Sequence, residues 1–170
     1  LLSMKRANMC TTERENKKNK TEVHTMKKNI FAETYAQVQE LKKAYDAAAD
    51  EAGKEKARAG YNALMEGIEG LGAAACRIWR EYETARENGN ACLDISDVVW
   101  EKDVESLISC MRENGISEFT FSSGWSSAVE TAWLFTQNGC ELAGLVEVNG
   151  SMNHFAGEHD KKHGYLFRVK

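Results

Sequence analysis

Proline is absent from the sequence, although average usage of about 5% would place roughly eight prolines in a chain of 170 residues. Its absence favours long helices and tight turns over extended recognition segments. No apolar run approaches the ~20 residues of a membrane-spanning helix, and no segment has the apolar core of a signal peptide. The five cysteines never take C-x-x-C spacing, which indicates free thiols in a reducing cytosol rather than a disulfide framework.

Motifs that identify a reaction are also lacking. The sequence has neither the Gly-rich fingerprint and lysine of a phosphate loop nor the G-x-S-x-G turn of a serine hydrolase. We therefore predict no catalytic residue, no cofactor and no metal site. A hydrophobic share of 42% with 28% charged residues is ordinary for a soluble globular protein, with room for one domain or two small ones.

The first 29 residues differ in charge from the rest of the chain. They carry eight lysines and arginines against three glutamates, a net charge of +5, whereas the whole chain has −4. Such a basic arm can bind nucleic acid or anionic lipid. However, MKKNIFAETY at Met26 looks like a bacterial start, and Thr21-Glu22-Val23 can be encoded by a ribosome-binding sequence. We expect residues 1–26 to be a disordered basic leader, with the true start at Met26.

Residues 100–148 form the unit around which the chain is organised, in the order helix, strand, helix, strand. Alternation of Phe119 and Phe121 with polar residues predicts the first strand. The second runs from Leu142 to Val148, and its apolar content suits burial on both faces. Because a helix separates the two strands, they should lie parallel in one sheet.

The helix between these strands should present one apolar face to the sheet. We expect a capping box of Ser127 and Glu130 to start it, or Ser123 to cap it one turn earlier, and Gly139 to end it. The expected inner face consists of Trp125, Val129, Ala132, Trp133 and Thr136.

Shorter segments complete a small α/β domain predicted at residues 90–170. A short strand at Cys92 to Ile95 is expected before the central unit, and Asn149-Gly150 predicts the turn that leaves it. A polar loop follows. Tyr165 to Val169 then predict a last strand, antiparallel to a core strand because no helix intervenes, with Phe167 buried.

Helical periodicity dominates residues 27–89. We expect a helical hairpin of two antiparallel helices with a reversal between Gly53 and Gly60; one long bent helix is the alternative. Trp79 and Tyr82 fall on the apolar stripe, which favours core packing over stacking on nucleic-acid bases. The expected fold class is α+β: an N-terminal helical hairpin, then a small mixed sheet with two helices, a βαβ-type unit plus a C-terminal strand.

Two candidate sites are expected in turns. Free N–H groups where a strand meets a helix favour anions, so Ser123, Gly124, Ser126 and Ser127 are candidate ligand-binding residues; ordinary helix capping is the alternative. The polar loop holds three histidines at spacings that can converge on a metal, His154, His159 and His163. The loop has no cysteine and no named zinc pattern, so we expect it to be metal-free.

Aromatic residues of the helical hairpin are candidate anchors for a partner protein. Tyr35, Tyr45 and Tyr61 lie among alanines and glycines, and aromatic side chains are typical interface anchors. The alternative is that they pack on the sheet. The acidic charge of the chain after residue 29 opposes nucleic-acid binding, which we therefore do not expect.

The segment AWLFTQNGCELAGLVEVNG followed by GYLFRVK resembles the C-terminal end of small uncharacterised proteins carried on mobile elements of gut Firmicutes. The resemblance covers roughly the last 70 residues. It implies an accessory gene of a phage or conjugative element and assigns no functional residue.

Three functions follow as hypotheses. The favoured one is a non-enzymatic cytoplasmic protein that binds a host or element-encoded protein, with inhibition of a host defence system as a candidate role. A small enzyme or anion-binding domain using the turn from Ser122 to Ser127 is the second. A DNA-binding accessory protein is the third.

Overall fold

The structure is a computed structural model, and it describes residues 27–170. The predicted leader lies outside these residues. The described elements are α1 Ile30–Ala47, α2 Glu51–Gly70, α3 Ala73–Glu87, β1 Leu93–Ile95, α4 Glu101–Glu113, β2 Glu118–Phe121, α5 Ala128–Gln137, β3 Cys140–Asn153 and β4 Glu158–Val169. Helices come first and a mixed sheet follows, which confirms the predicted α+β class.

The four strands form one sheet in the order β1-β2-β4-β3. β1 is parallel to β2, and β4 is antiparallel to both of its neighbours. β2 and β3 therefore run parallel to each other, as predicted, but β4 lies between them. The predicted C-terminal strand is thus confirmed, and so is the short strand before α4.

The β3–β4 hairpin is much longer than the sequence suggested, and two predictions about it are wrong. Asn149-Gly150 does not end the strand, because a register shift between Asn149 and Met152 absorbs it as an irregularity within the ladder. The predicted polar loop is therefore mostly strand. The chain reverses only before Gly157, which has a φ of +73°.

Three helices, rather than the predicted two, precede the sheet. The first reversal follows α1, where the Asp50 carboxylate accepts a hydrogen bond of 2.8 Å from the N–H of Gly53 and caps α2. Gly53 and Gly60 consequently lie inside α2 rather than at its ends. The second interruption occurs at Gly72, whose φ of +97° separates α2 from α3.

One hydrophobic core joins the helices to the sheet. Its centre is an aromatic cluster in which the α5 side chain Phe135 lies 5.2–5.4 Å, ring to ring, from three strand residues, Phe119, Phe121 and Phe167. Phe167 is fully buried, as predicted, and the α3 residue Trp79 is also buried, as predicted. The same core extends to α1 through Phe31 and Val38, among others.

The expected inner face of α5 is wrong. Trp125, Val129 and Trp133 are exposed by 58%, 71% and 60%, whereas Thr131 and Phe135 are buried. Two apolar stripes at helical spacing compete for the sheet, and the Phe135 ring fits edge-on against the strand phenylalanines. The predicted capping by Ser127 is absent too, since its side chain makes no capping hydrogen bond to α5.

The second strand is not buried on both faces, which corrects another expectation. β3 lies at the edge of the sheet, and its side chains Leu142 and Leu145 are largely exposed. The apolar run resembles that of a central strand, but β4 takes the central position. Only Val148 and Cys140 are buried among the apolar residues of β3.

Candidate protein-binding surface

Three exposed apolar side chains, Trp125, Val129 and Trp133, lie on α5 and in the turn that precedes it. Val129 and Trp133 are four residues apart on α5 and therefore lie above one another on one face of the helix, and Trp125 lies four residues before Val129, in the turn that leads into the helix. Trp125 precedes the first helical residue, but its carbonyl accepts a hydrogen bond of 3.0 Å from the N–H of Ala128 and continues the turn. We name these three residues the tryptophan stripe.

Rigid packing beneath α5 holds the stripe in place. Phe135 is fully buried in the aromatic cluster, and the Thr131 hydroxyl donates to the carbonyl of Val99 at 3.4 Å. Because the opposite side of the helix is anchored, the tryptophans are not free to turn inward. With more than half of their surface exposed, the two rings offer about 180–300 Å² to a partner, since a buried aromatic side chain contributes roughly 150–250 Å².

The serine turn before α5 takes part in a buried polar cluster. The Ser122 and Thr120 hydroxyls donate to the two carboxylate oxygens of Asp94, at 2.6 and 2.7 Å. The Lys162 ammonium lies 3.5 Å from the same carboxylate. These bonds connect β1, β2 and β4.

The four residues predicted to bind a ligand in this turn do not converge. Gly124 and Ser126 are exposed, and the Ser123 hydroxyl accepts a weak hydrogen bond of 3.4 Å from the N–H of Trp125. Ser127 makes no capping bond to the helix. Anion binding there stays a prediction.

Two of the three predicted interface tyrosines line one cavity. Tyr45 and Tyr61 face a cavity of about 600 Å³ between α1 and α2, together with Leu41. Tyr35 lies apart from that cavity: its ring meets the ring of Tyr82 edge-on at 6.2 Å, against the core. The Tyr45 hydroxyl accepts a hydrogen bond of 2.9 Å from Arg58, so this ring is already held within the hairpin.

The three histidines do not converge on one point. His159 and His163 lie on β4, four residues apart on an extended strand and therefore separated by about 13 Å. The His159 ring lies 3.0 Å from the carbonyl oxygen of Gly150. No group of three or more histidine, cysteine, aspartate or glutamate residues within residues 27–170 is arranged to hold a metal ion.

A polar cleft of about 410 Å³, which the sequence did not suggest, lies beside the carboxyl end of β1. Its walls include Arg77, Glu81, Asp97 and the exposed Trp100. Burial raises the pKa of Glu81, although a backbone hydrogen bond from Ser96 and the charge of Arg77 oppose the shift. Arg77 itself donates to a backbone carbonyl, and opposite charges balance across the cleft, so it defines no ligand class.

These features describe a small α+β protein with an anchored helix that presents aromatic side chains to solvent. Residues 77–169, more than half of the chain, match the family described as Domain of unknown function (DUF7698), and the chain belongs to that family. The match includes the tryptophan stripe and the whole sheet but leaves α1 and α2 outside. No protein of curated function and no solved structure matches the chain.

No helix formed by residues 27–170 is both long enough and apolar enough to cross a membrane.

Proposed function

We propose that this protein is a non-enzymatic protein-binding module and that the tryptophan stripe is its main contact surface. The observation that carries the proposal is the exposure of Trp125, Val129 and Trp133 on a helix whose other side is packed into the core. Tryptophan is enriched among the residues that dominate binding energy, and a rigid helix spares the ordering cost of a flexible loop.

A protein fits this surface better than a nucleic acid does. The chain carries a net charge of −4, which opposes the phosphate backbone, and the stripe itself contains no cation to pair with a phosphate. Its apolar face would desolvate well against an apolar groove on a partner.

The partner we propose is a host or element-encoded protein met in the cytoplasm. The resemblance of the C-terminal region to proteins of mobile elements supports this context: an accessory protein of a phage or conjugative element, with inhibition of a host defence system as the candidate role.

The helical hairpin of α1 and α2 is the second candidate surface. The cavity lined by Tyr45 and Tyr61 favours it, since an apolar side chain of a partner can enter there. The stripe comes first because its residues are far more exposed, and their side chains make no hydrogen bond within residues 27–170, whereas the Tyr45 hydroxyl is already bonded to Arg58.

The test is affinity capture from a host lysate with the wild-type chain and three variants. Trp125→Ser with Trp133→Ser removes the stripe, and Tyr45→Ala with Tyr61→Ala removes the hairpin aromatics. Trp100→Ser is the matched control, because Trp100 is equally exposed but lies before α4. We expect the stripe variant alone to lose the captured protein, with circular dichroism confirming that all variants are folded.

Equal recovery by the wild type and the stripe variant would assign the contact elsewhere. If only the tyrosine variant loses the captured protein, the contact surface lies on the helical hairpin. A photo-crosslinking residue at Val129, the most exposed position of the stripe, should also become attached to the same captured protein.

A further inference from the structure

β3 forms one edge of the sheet, where the apolar side chains Leu142 and Leu145 are exposed, and its glutamates Glu141 and Glu147 are paired with lysines of the same chain. Its inner side pairs with β4 along the strand, whereas no other strand of residues 27–170 pairs with its outer side. Natural proteins usually protect such an edge with lysine, proline or a covering loop. From Cys140 to Glu147 the strand contains no lysine and no proline.

Two hydrogen bonds between Asn90 and Asn149, which we call the clasp, show in which direction the backbone groups of β3 point. The N–H of Asn149 donates to the side-chain oxygen of Asn90 at 2.8 Å, and the Asn90 amide donates to the carbonyl of Asn149 at 2.9 Å. Both main-chain groups of Asn149 therefore point away from β4. The register is regular from Gly144 to Asn149. Because backbone groups alternate in direction along a strand, the N–H and C=O groups of Glu147 and Leu145 also point away from β4.

The sheet face becomes progressively uncovered toward this edge. Phe121, Tyr165 and Leu145 lie side by side on β2, β4 and β3, and their exposures rise from 2% through 37% to 62%. Helix α5 covers the first position through its contact with Phe121. The outermost leucine is left without a neighbour among the described residues on its outer side.

We propose that a second copy of this chain pairs with β3 in antiparallel fashion, about a two-fold axis that passes through Leu145. The free segment is symmetric about that residue: the clasp at Asn149 limits pairing on one side to Glu147, and the irregularity between Leu142 and Gly144 limits it on the other. The two copies then extend one sheet to eight strands.

The position of Glu147 favours this register over registers whose two-fold axis is shifted by one or two residues. With the axis at Leu145, the two leucines bury each other, and Glu147 lies opposite the small residue Ala143 of the second copy. An axis at Glu147 would place two carboxylates opposite each other, which is destabilising. An axis at Val146 would place Glu147 opposite Leu145. Within its own chain, Glu147 lies 3.1 Å from the Lys161 ammonium, so no counter-charge is required from the second copy.

Sedimentation equilibrium of the full chain tests the proposal. We expect reversible association from 19.0 kDa toward twice that mass as the concentration rises. Leu145→Lys should weaken association by about tenfold or more, because a charge on an edge strand opposes pairing. Its thermal stability should stay unchanged, since Leu145 is exposed in the monomer. A chain that remains a monomer at millimolar concentration overturns the proposal.

Disulfide trapping tests the position of the axis. Residues opposite each other in a hydrogen-bonded antiparallel pair have Cα atoms about 5.5 Å apart, within disulfide range. We expect Leu145→Cys to form a covalent dimer on mild oxidation and the control Met152→Cys, exposed further along β3, to form little. Equal dimer yields from both variants, or from the wild type, would refute the register.

Two further variants separate this inference from its alternatives. The double variant Trp125→Ser with Trp133→Ser should keep the dimer, so loss of partner capture and loss of self-association are distinguishable. A chain starting at Met26 should associate as strongly as the full chain. If association appears only after residues 1–25 are removed, that segment rather than a second copy covers the edge, and the proposal is wrong.

Discussion

Replacement of Phe167 by alanine tests whether the last strand is the centre of the fold. Phe167 is fully buried and sits on β4, between β2 and β3. Its ring stacks on Phe119 at 5.4 Å and meets Phe135 edge-on at 5.4 Å. Truncation removes both ring contacts and leaves a cavity walled by strands on either side and by α5, elements that cannot easily collapse into it.

The expected loss is large compared with the stability of the whole protein. Phe→Ala changes in protein cores cost about 3–5 kcal/mol, and the rigid surroundings of Phe167 predict the upper part of that range. Folded domains are stable by only about 5–15 kcal/mol. With a urea dependence of about 1–3 kcal/mol per molar, the unfolding midpoint should fall by about 2 M.

Urea unfolding followed by circular dichroism measures this shift. The matched control is Phe155→Ala, because Phe155 lies in the turn between β3 and β4 and its side chain is fully exposed. We expect the control to match the wild type within about 0.5 kcal/mol. A Phe167→Ala protein with an unchanged midpoint would refute the central position of β4 in the core.

Three further predictions concern single side chains. Burial raises the folded-state pKa of Glu81. The stability that protonated Glu81 contributes should therefore be present below the ordinary glutamate pKa and be lost as the pH rises through the raised pKa. Glu81→Gln should flatten that part of a curve of unfolding free energy against pH. Burial raises the pKa of the Cys140 thiol to about 11, so mass spectrometry after iodoacetamide treatment at pH 8 should find this cysteine unmodified until the protein unfolds. Gly115→Ala should lower the melting temperature more than Gly157→Ala does: both glycines have positive φ, but only at Gly115 would an added Cβ collide with the chain, at the backbone of Lys28. Equal losses for the two glycine variants would show that this contact is unimportant.

The strands were predictable because their patterns depend on local alternation. Phe119 and Phe121 alternate with polar residues, and the last strand repeats that pattern around Phe167, so their position and burial followed directly. The direction of β2 relative to β3 followed from the length of the connection. The strand order did not, because nothing local distinguishes a central apolar strand from an edge one.

The surface that we propose to bind a partner was missed for a related reason. Helical spacing places Trp125, Val129 and Trp133 on one face but does not say which face meets the sheet. Hydrophobicity alone favours the tryptophan face of α5 as the buried one. Packing shape favours the other face, because the Phe135 ring fits against the rings of the strand phenylalanines. The sequence did contain a signal for this surface: one short helix carries two apolar stripes, and only one of them can pack on the sheet.

The sequence left it similarly ambiguous which glycines end a helix and which lie inside one. Gly53 and Gly60 lie within α2, while Gly72 ends it, although all three sit in comparable helical patterns. The distinguishing feature is the capping carboxylate of Asp50, which starts α2 immediately after the first reversal.

The central place of β4 also has a consequence for biosynthesis. β4 is the last of the described elements in chain order, yet both β2 and β3 need it as their neighbour. A nascent chain that has emerged only as far as Gly157 has no complete sheet, and Phe119 and Phe121 lack the strand that pairs beside them. Partly made chains of this kind expose apolar surface and unpaired strand edges, the features that recruit chaperones. The sheet can therefore close only after translation has passed β4, and slow translation of that strand would prolong exposure of the same aromatic cluster that later stabilises the fold.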